Sequence, residues 1–162
     1  ADLATAWDVQ DATEGSINFW LHKDSWAAAQ RYMIRIYANN NNQIRVEQPN
    51  NSNRVNYVRT AGGTQRRIQI TGGFSTGWQM HTMTWSETDN VIEAFRNGSS
   101  LGTTSATVDW NTTGLSSVRT LVGADDTSSP ASVLNGELMY YALWQTVLSQ
   151  DDIDELYNGG PV

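Results

Sequence analysis

The stretch from Gly77 to Gly102, GWQMHTMTWSETDNVIEAFRNGSSLG, constrains the fold more than any other part of the chain. Two short runs of β-type residues, Gln79 to Trp85 and Val91 to Arg96, flank the polar turn Ser86-Glu87-Thr88-Asp89-Asn90. A second turn, Asn97-Gly98, follows at once. Neither run is long enough for a helix of ordinary length, and each is bounded by residues that turn the chain. Strand, turn, strand, turn in so short a span is the pattern of an antiparallel sheet.

The same alternation recurs along the chain. Ser16 to His22 places Ile17, Phe19 and Leu21 on one face and Asn18, Trp20 and His22 on the other. Arg31 to Tyr37 sets Tyr32, Ile34 and Ile36 against Arg31, Met33, Arg35 and Tyr37. Further strands are expected at Gln43 to Gln48, Val55 to Val58, Arg67 to Thr71 and Thr120 to Ala124. Glu137 to Trp144 carries Leu138, Tyr140, Ala142 and Trp144 against Met139, Tyr141 and Leu143, apolar on both sides as in the inner part of a two-sheet sandwich. One helix is expected, opening at Ser149 with the capping-box partner Asp152 and a staple of Leu148 on Ile153. Asn158-Gly159-Gly160-Pro161 stops it. With no internal repeat or linker, residues 1–162 read as a single all-β domain: a two-sheet antiparallel jelly-roll sandwich with one short C-terminal helix.

Composition narrows the function classes. A chain of 162 residues can bury one sizeable core, and seven Trp, six Tyr and three Phe supply large surfaces for it. The net charge of −7 argues against nucleic acid and anionic membrane surfaces as partners. Arg66-Arg67 reads as a solvated strand end. The absence of cysteine excludes disulfides, thiolate zinc sites and a cysteine nucleophile. No apolar run approaches the ~18 residues a membrane span needs, so membrane insertion is not expected. The chain opens at Ala1-Asp2-Leu3 as a mature protein or an excised domain would.

With the strand order in place, the chain resembles the concanavalin A-like, laminin G-like jelly-roll family. The resemblance runs over residues 15–158 and rests on the order of its motifs. Gly15-Ser-Ile-Asn-Phe-Trp-Leu21 matches the first strand, and Gly77 to Trp85 loosely matches the family's "GxWxHxxxTW" strand. Asn97-Gly98 matches the hairpin turn; Gly136-Glu137-Leu138, Leu148 to Ile153 and Leu156-Tyr157 match the closing segment. Trp20, Trp85 and Trp144 fall inside strands as core anchors. The resemblance implies a sugar-binding module, an adhesion domain or a piece of a phage tail or fibre. Some members bind Ca²⁺ at a sheet edge. Leu3 to Val9 departs from the usual opening strand, a region that often supplies rim metal ligands in the family.

The candidate chemistry is weighed residue by residue. Glu47, Glu93 and Glu137 are isolated on their strands, without the paired carboxylates of a glycosidase. A polysaccharide lyase could use Gln79 and His81 on one strand with Arg31 and Arg35 on another, but His81 reads more simply as a packed strand residue. No nucleophile elbow supports a serine hydrolase. Ca²⁺ could be held by the loop acids Asp125 and Asp126. Sugar binding needs an aromatic face beside amides, and the loop-edge residues Trp26, Tyr57, Trp110 and Asn111 offer that pairing. The expected protein is therefore a non-catalytic carbohydrate-binding or recognition module, extracellular or on a virion surface and joined to neighbouring domains of a larger protein. Its partner would be a glycan or cell-surface polysaccharide. The alternatives are a purely structural, oligomerising domain of a phage tail or adhesin and, behind it, a lyase or glycosidase.

Overall fold

The computed structural model describes residues 13–23, 25, 29–50, 53–72, 76–106, 110, 120–125 and 132–160. In chain order the elements are β1 (Glu14–His22), β2 (Arg31–Asn39), β3 (Asn42–Gln48), β4 (Arg54–Ala61), β5 (Thr64–Thr71), β6 (Gln79–Ser86), β7 (Val91–Arg96), β8 (Ser99–Thr104), β9 (Leu121–Val122), β10 (Glu137–Trp144) and α1 (Gln150–Asn158). They form two five-stranded antiparallel sheets, β10-β1-β6-β7-β8 and β5-β4-β3-β2-β9. This is the jelly-roll sandwich that the alternation implies.

The core lies between the sheets. Ile17, Phe19, Leu21, Met83, Trp85, Ile92 and Ala94 of the first sheet meet Ile34, Ile36, Ile44, Val46, Val55, Tyr57 and Ile68 of the second. Burial of these side chains, each worth roughly 1.5–3 kcal/mol, is the main term holding the sheets together. Trp85 fits because its cross-strand partner on β1 is Gly15. A Cβ at Gly15 would stand 2.4 Å from Trp85 Cζ2 and 2.8 Å from the Trp144 carbonyl oxygen.

Two bulges correct the expected faces. On β2, Tyr32 opposes Glu47 and Ile34 opposes Val46, so Met33 is the extra residue and enters the core beside Ile34 and Ile36. On β10, Tyr140 and Tyr141 together oppose Phe19, the register passing from Asn18–Ala142 to Trp20–Met139. Tyr140 adopts φ 52°, the left-handed conformation of a bulged residue. The slip turns both Leu138 and Leu143 toward the core, although a strict alternation separates them. Of the three expected anchors, Trp85 is in the main core, Trp20 is in a second cluster and Trp144 is only half-buried.

Strand β8 has no alternating signal because it is a polar edge strand, Ser-Ser-Leu-Gly-Thr-Thr, largely exposed. Its position follows from the turn before it: Asn97 and Gly98 both have positive φ, as a two-residue hairpin turn requires. The predicted strand 120–124 shrinks to Leu121–Val122, and the Thr120 hydroxyl takes over the pairing by accepting from Tyr37 N and donating to Tyr37 O.

Helix α1 closes the outer face of the first sheet. Ser149 Oγ accepts from Asp152 N, and Asp152 Oδ2 accepts from Ser149 N, completing the capping box. Ile153 is fully buried against Trp20, Met80 and Phe95, with Leu148 and Leu156 packed alongside. No helix among the described residues is long and apolar enough to cross a membrane.

Gly15→Ala is expected to cost roughly 1–3 kcal/mol by overpacking the Trp85 ring. Chemical denaturation measures this as a lower midpoint at unchanged slope; an unchanged midpoint would show that the ring is not confined there.

Candidate functional site

With the inner faces largely apolar and one outer face under the helix, the outer face of the second sheet is where most polar side chains gather. The inward phase of β4 is fixed by Val55 and Tyr57, which leaves Asn56, Val58 and Thr60 outward. Strand pairing then brings Arg35, Arg45, Val58 and Arg67 into one row across β2, β3, β4 and β5. A second row holds Tyr37, Gln43, Thr60 and Gln65, and a third holds Tyr32, Glu47, Asn56 and Gln69.

These side chains are tied to one another. The Arg35 guanidinium lies 4.4 Å from the Tyr37 ring centroid and 5.2 Å from that of Tyr32, an arrangement that holds the planar cation in place. Its Nη2 donates to Gln43 Oε1 at 3.1 Å and its Nη1 to the Asp125 carbonyl oxygen at 3.4 Å. Glu47 accepts from Arg45 Nε at 3.1 Å, Gln30 Nε2 at 3.1 Å and Asn56 Nδ2 at 3.3 Å. Arg45 Nη2 reaches Gln65 Oε1 at 3.1 Å. Burial, then the charge of Glu47, raises the Tyr32 hydroxyl above its ordinary range. Gln65, Arg67 and Gln69 are exposed, whereas Asn56, Val58 and Thr60 of β4 and Glu47 of β3 are 0–6% exposed, so the face is open at β5 and closed over β4 and β3.

Three buried polar atoms in this region, Arg45 Nη1, Asn56 Oδ1 and Thr60 Oγ1, make no hydrogen bond with the described residues. Burying such atoms without partners costs about 1–3 kcal/mol each. None of these atoms has accessible surface, so the polar groups of this face that are open to a ligand are those of β5, Gln65, Arg67 and Gln69.

The sequence-predicted site residues fare differently. Tyr57 is a correction: it is fully buried in β4, and its hydroxyl hydrogen-bonds His81 Nδ1 at 2.7 Å across the sheets. A side chain with no solvent exposure cannot stack on a sugar. Trp110 is also in the core, 9% exposed, with the Arg59 guanidinium 5.7 Å from its ring and its amide donating to Glu87 Oε1 at 3.3 Å. Arg59 in turn pairs with Glu87. Trp26, Asn111 and Asp126 lie outside the described residues. Asp125 uses its carbonyl for Arg35 and its Oδ1 for Ser132 N. No group of three or more His, Cys, Asp or Glu that could hold a metal ion occurs among the described residues.

The lyase pairing does not form one face. Gln79 and His81 point inward, His81 stacked on Phe19 at 5.4 Å, while Arg35 points outward on the other sheet. Burial, with Arg96 nearby, drops the His81 imidazole to about 3, so it is neutral at physiological pH. Glu47 and Glu93 lie on the outer faces of different sheets. The Asn-rich turn is internally bonded: Asn39 Oδ1 accepts from Asn41 N and Asn42 Nδ2, and Asn40 Oδ1 accepts from the Tyr37 hydroxyl.

A cleft of about 490 Å³ lies on the other side of the molecule, where the bulged edge strand leaves α1; Trp20, Tyr140, Trp144, Leu148 and Leu156 line it. Its character is mainly apolar, and Asp152 at its rim is engaged in the helix cap.

Comparison with known proteins places this geometry. A family model of the concanavalin A-like lectin/glucanase superfamily, of laminin G type, matches residues 2–154, and the chain belongs to that superfamily. A search of curated proteins gives no match. Among solved structures, the CBM40 of the Ruminococcus gnavus IT-sialidase, bound to α2,3-sialyllactose, is similar at TM-score 0.69 and 14% identity, over 89% of this chain and 82% of that one. The leech intramolecular trans-sialidase in complex with 2,7-anhydro-Neu5Ac is similar at TM-score 0.72 and 15% identity, over 95% of this chain. The receptor-binding domain of botulinum neurotoxin mosaic serotype C/D is similar at TM-score 0.66 and 15% identity, over 90%. This chain spans 36% of the toxin domain and 24% of the trans-sialidase. At these identities the likeness shows the fold.

The buried His81 gives a pH prediction. Its folded value near 3 lies below the ordinary 6.5, so between those values the unfolded chain takes up a proton that the folded chain rejects. The stabilising contribution is complete above about pH 6.5 and is lost as pH falls toward 3. His81→Gln should flatten the acid limb of a plot of unfolding free energy against pH, by up to about 1.4 kcal/mol per pH unit. Parallel limbs in the two proteins would show that His81 does not titrate with unfolding.

Proposed function

We propose that this chain is a non-catalytic glycan-binding module whose ligand lies across the outer face of the second sheet. The observation that carries the reading is the exposed polar strip of β5, Gln65, Arg67 and Gln69, set beside fixed side-chain donors and acceptors on the neighbouring strands. A sugar presents closely spaced hydroxyls that both donate and accept, which suits such a surface. The sialyllactose and anhydro-Neu5Ac complexes of the similar structures support a glycan ligand for this fold. We place the module outside the cell or on a virion surface, beside further domains of a larger protein, with Ca²⁺ at Asp125 and Asp126 as an optional component.

A second reading, a structural or oligomerising domain, is favoured by Tyr140 and Tyr141, 65% and 41% exposed on the edge strand β10. A glycan array probed with and without Ca²⁺ separates the two. The module is expected to bind at least one glycan, and Gln69→Ala, at an exposed position of β5, should weaken that binding about threefold to tenfold, the worth of one hydrogen bond, at unchanged thermal stability. Tyr141→Ala should leave it unchanged. Binding lost in Tyr141→Ala but kept in Gln69→Ala would move the site to the other face; no binding to any glycan would leave the structural reading.

A further inference from the structure

We infer that the cleft between β10 and α1 is a binding site of its own, and that it takes a small organic cation, a quaternary or methylated ammonium. Its volume of about 490 Å³ is that of a small-molecule site. Trp20 forms the floor, held flat by the Tyr157 ring at 5.7 Å and by Gly160, where a Cβ would stand 1.9 Å from the indole. Trp144 pairs with Ser16 on β1 and is half-buried on the same outward face as Trp20. Ser16 Oγ donates to the Thr146 carbonyl oxygen at 2.8 Å and accepts from Leu148 N at 2.9 Å, which fixes the link from β10 to α1 and with it the width of the cleft. Tyr140 supplies the open wall. Strand pairing does not require an aromatic residue at φ 52°, and the product of that strained backbone is a ring 65% exposed at the cleft.

Charge decides what such a cleft takes. Residues 1–119 hold ten Asp or Glu and ten Lys or Arg, whereas residues 120–162 hold seven Asp or Glu and no Lys or Arg, so the net charge of −7 comes from the segment that builds β10 and α1. Asp152 and Glu155, three apart on one face of α1, are the charged side chains lining the cleft. The Glu155 carboxylate is exposed and makes no hydrogen bond or ion pair with the described residues. Gly159 and Gly160, past the C-terminal end of the helix, also line it, where the helix dipole is negative and no basic side chain in the last turn offsets it. An ammonium whose methyl groups spread the charge over an apolar shell suits aromatic faces, and the carboxylates supply the attracting field. A phosphate beside the ammonium would meet the same carboxylates, so the ligand is a free cation and not a phosphate-bearing headgroup. This site is independent of the glycan surface on β5, which belongs to the other sheet.

The test titrates the whole chain, at constant ionic strength, with choline, with its uncharged isostere in which tert-butyl replaces trimethylammonium, and with phosphocholine. Amide chemical shifts and calorimetry follow the binding. Choline should shift Trp20, Tyr140 and Leu156, the isostere should bind about tenfold more weakly, and phosphocholine should also bind more weakly than choline. Tyr140→Gly keeps the left-handed backbone and removes the ring; it should weaken choline binding about fivefold at an unfolding temperature no lower than wild type, whereas Tyr140→Phe should keep the binding. Glu155→Gln should weaken it about twofold and flatten its dependence on salt. An isostere that binds as tightly as choline, or choline binding indifferent to Tyr140→Gly, would overturn the assignment, and a tighter phosphocholine would overturn the choice of a free cation. A glycan that displaces choline would make the cleft a sugar site and overturn both readings. Glycan binding at β5 with no choline binding would overturn this inference alone.

Discussion

The hydrogen bond between Tyr57 and His81 is where the two sheets are pinned, and the rest of the molecule is arranged around it. It lies in a layer otherwise filled with Ile, Val, Met and Trp, where an unmet polar atom is expensive and a met one selects a single alignment. Burial keeps both partners uncharged, raising the Tyr57 hydroxyl and lowering the His81 imidazole. Two further polar links cross the sandwich: Arg59 with Glu87, and Lys23 Nζ with Gln48 Oε1 at 2.6 Å. Once Tyr57 and Arg59 are committed inward, Asn56, Val58 and Thr60 must face outward, because a strand alternates and a slip of one residue would exchange the faces.

That constraint carries the functional consequence. On the first sheet the outward residues Trp20, Met80 and Phe95 are apolar, and the helix covers them through Ile153. On the second sheet they are Arg, Gln, Glu, Asn, Thr and Tyr, bonded laterally. One outer face thus became a second small core and the other a polar surface. The aromatic residues that look most like sugar platforms in the sequence, Tyr57 and Trp110, belong to the interior that makes this division possible.

Much of the architecture was legible because turn residues and alternation agree, as at Asn97-Gly98 and from Ile17 to Leu21. The capping box at Ser149 and Asp152 was equally direct. What alternation could not reveal were the bulges, since an extra residue at Met33 or Tyr140 resets the phase without a local signal. Strand β8 was hidden because an exposed edge needs no apolar residues. The candidate surface was missed for a different reason: its residues are scattered over four strands and meet only through register. The turns at Asn39 to Asn42 and Gly62-Gly63 fix that register, so summing the polar phase of 31–71 strand by strand would have shown the arginine row.

The central claim is that ligand meets the outer face of the second sheet while the opposite face serves packing. Backbone amide chemical-shift mapping during titration with a bound glycan tests it most directly. The account predicts shifts centred on β5 around Gln65, Arg67 and Gln69, with Trp20, Tyr140 and Leu156 unmoved. Shifts centred on those three residues, beside the helix, would contradict it.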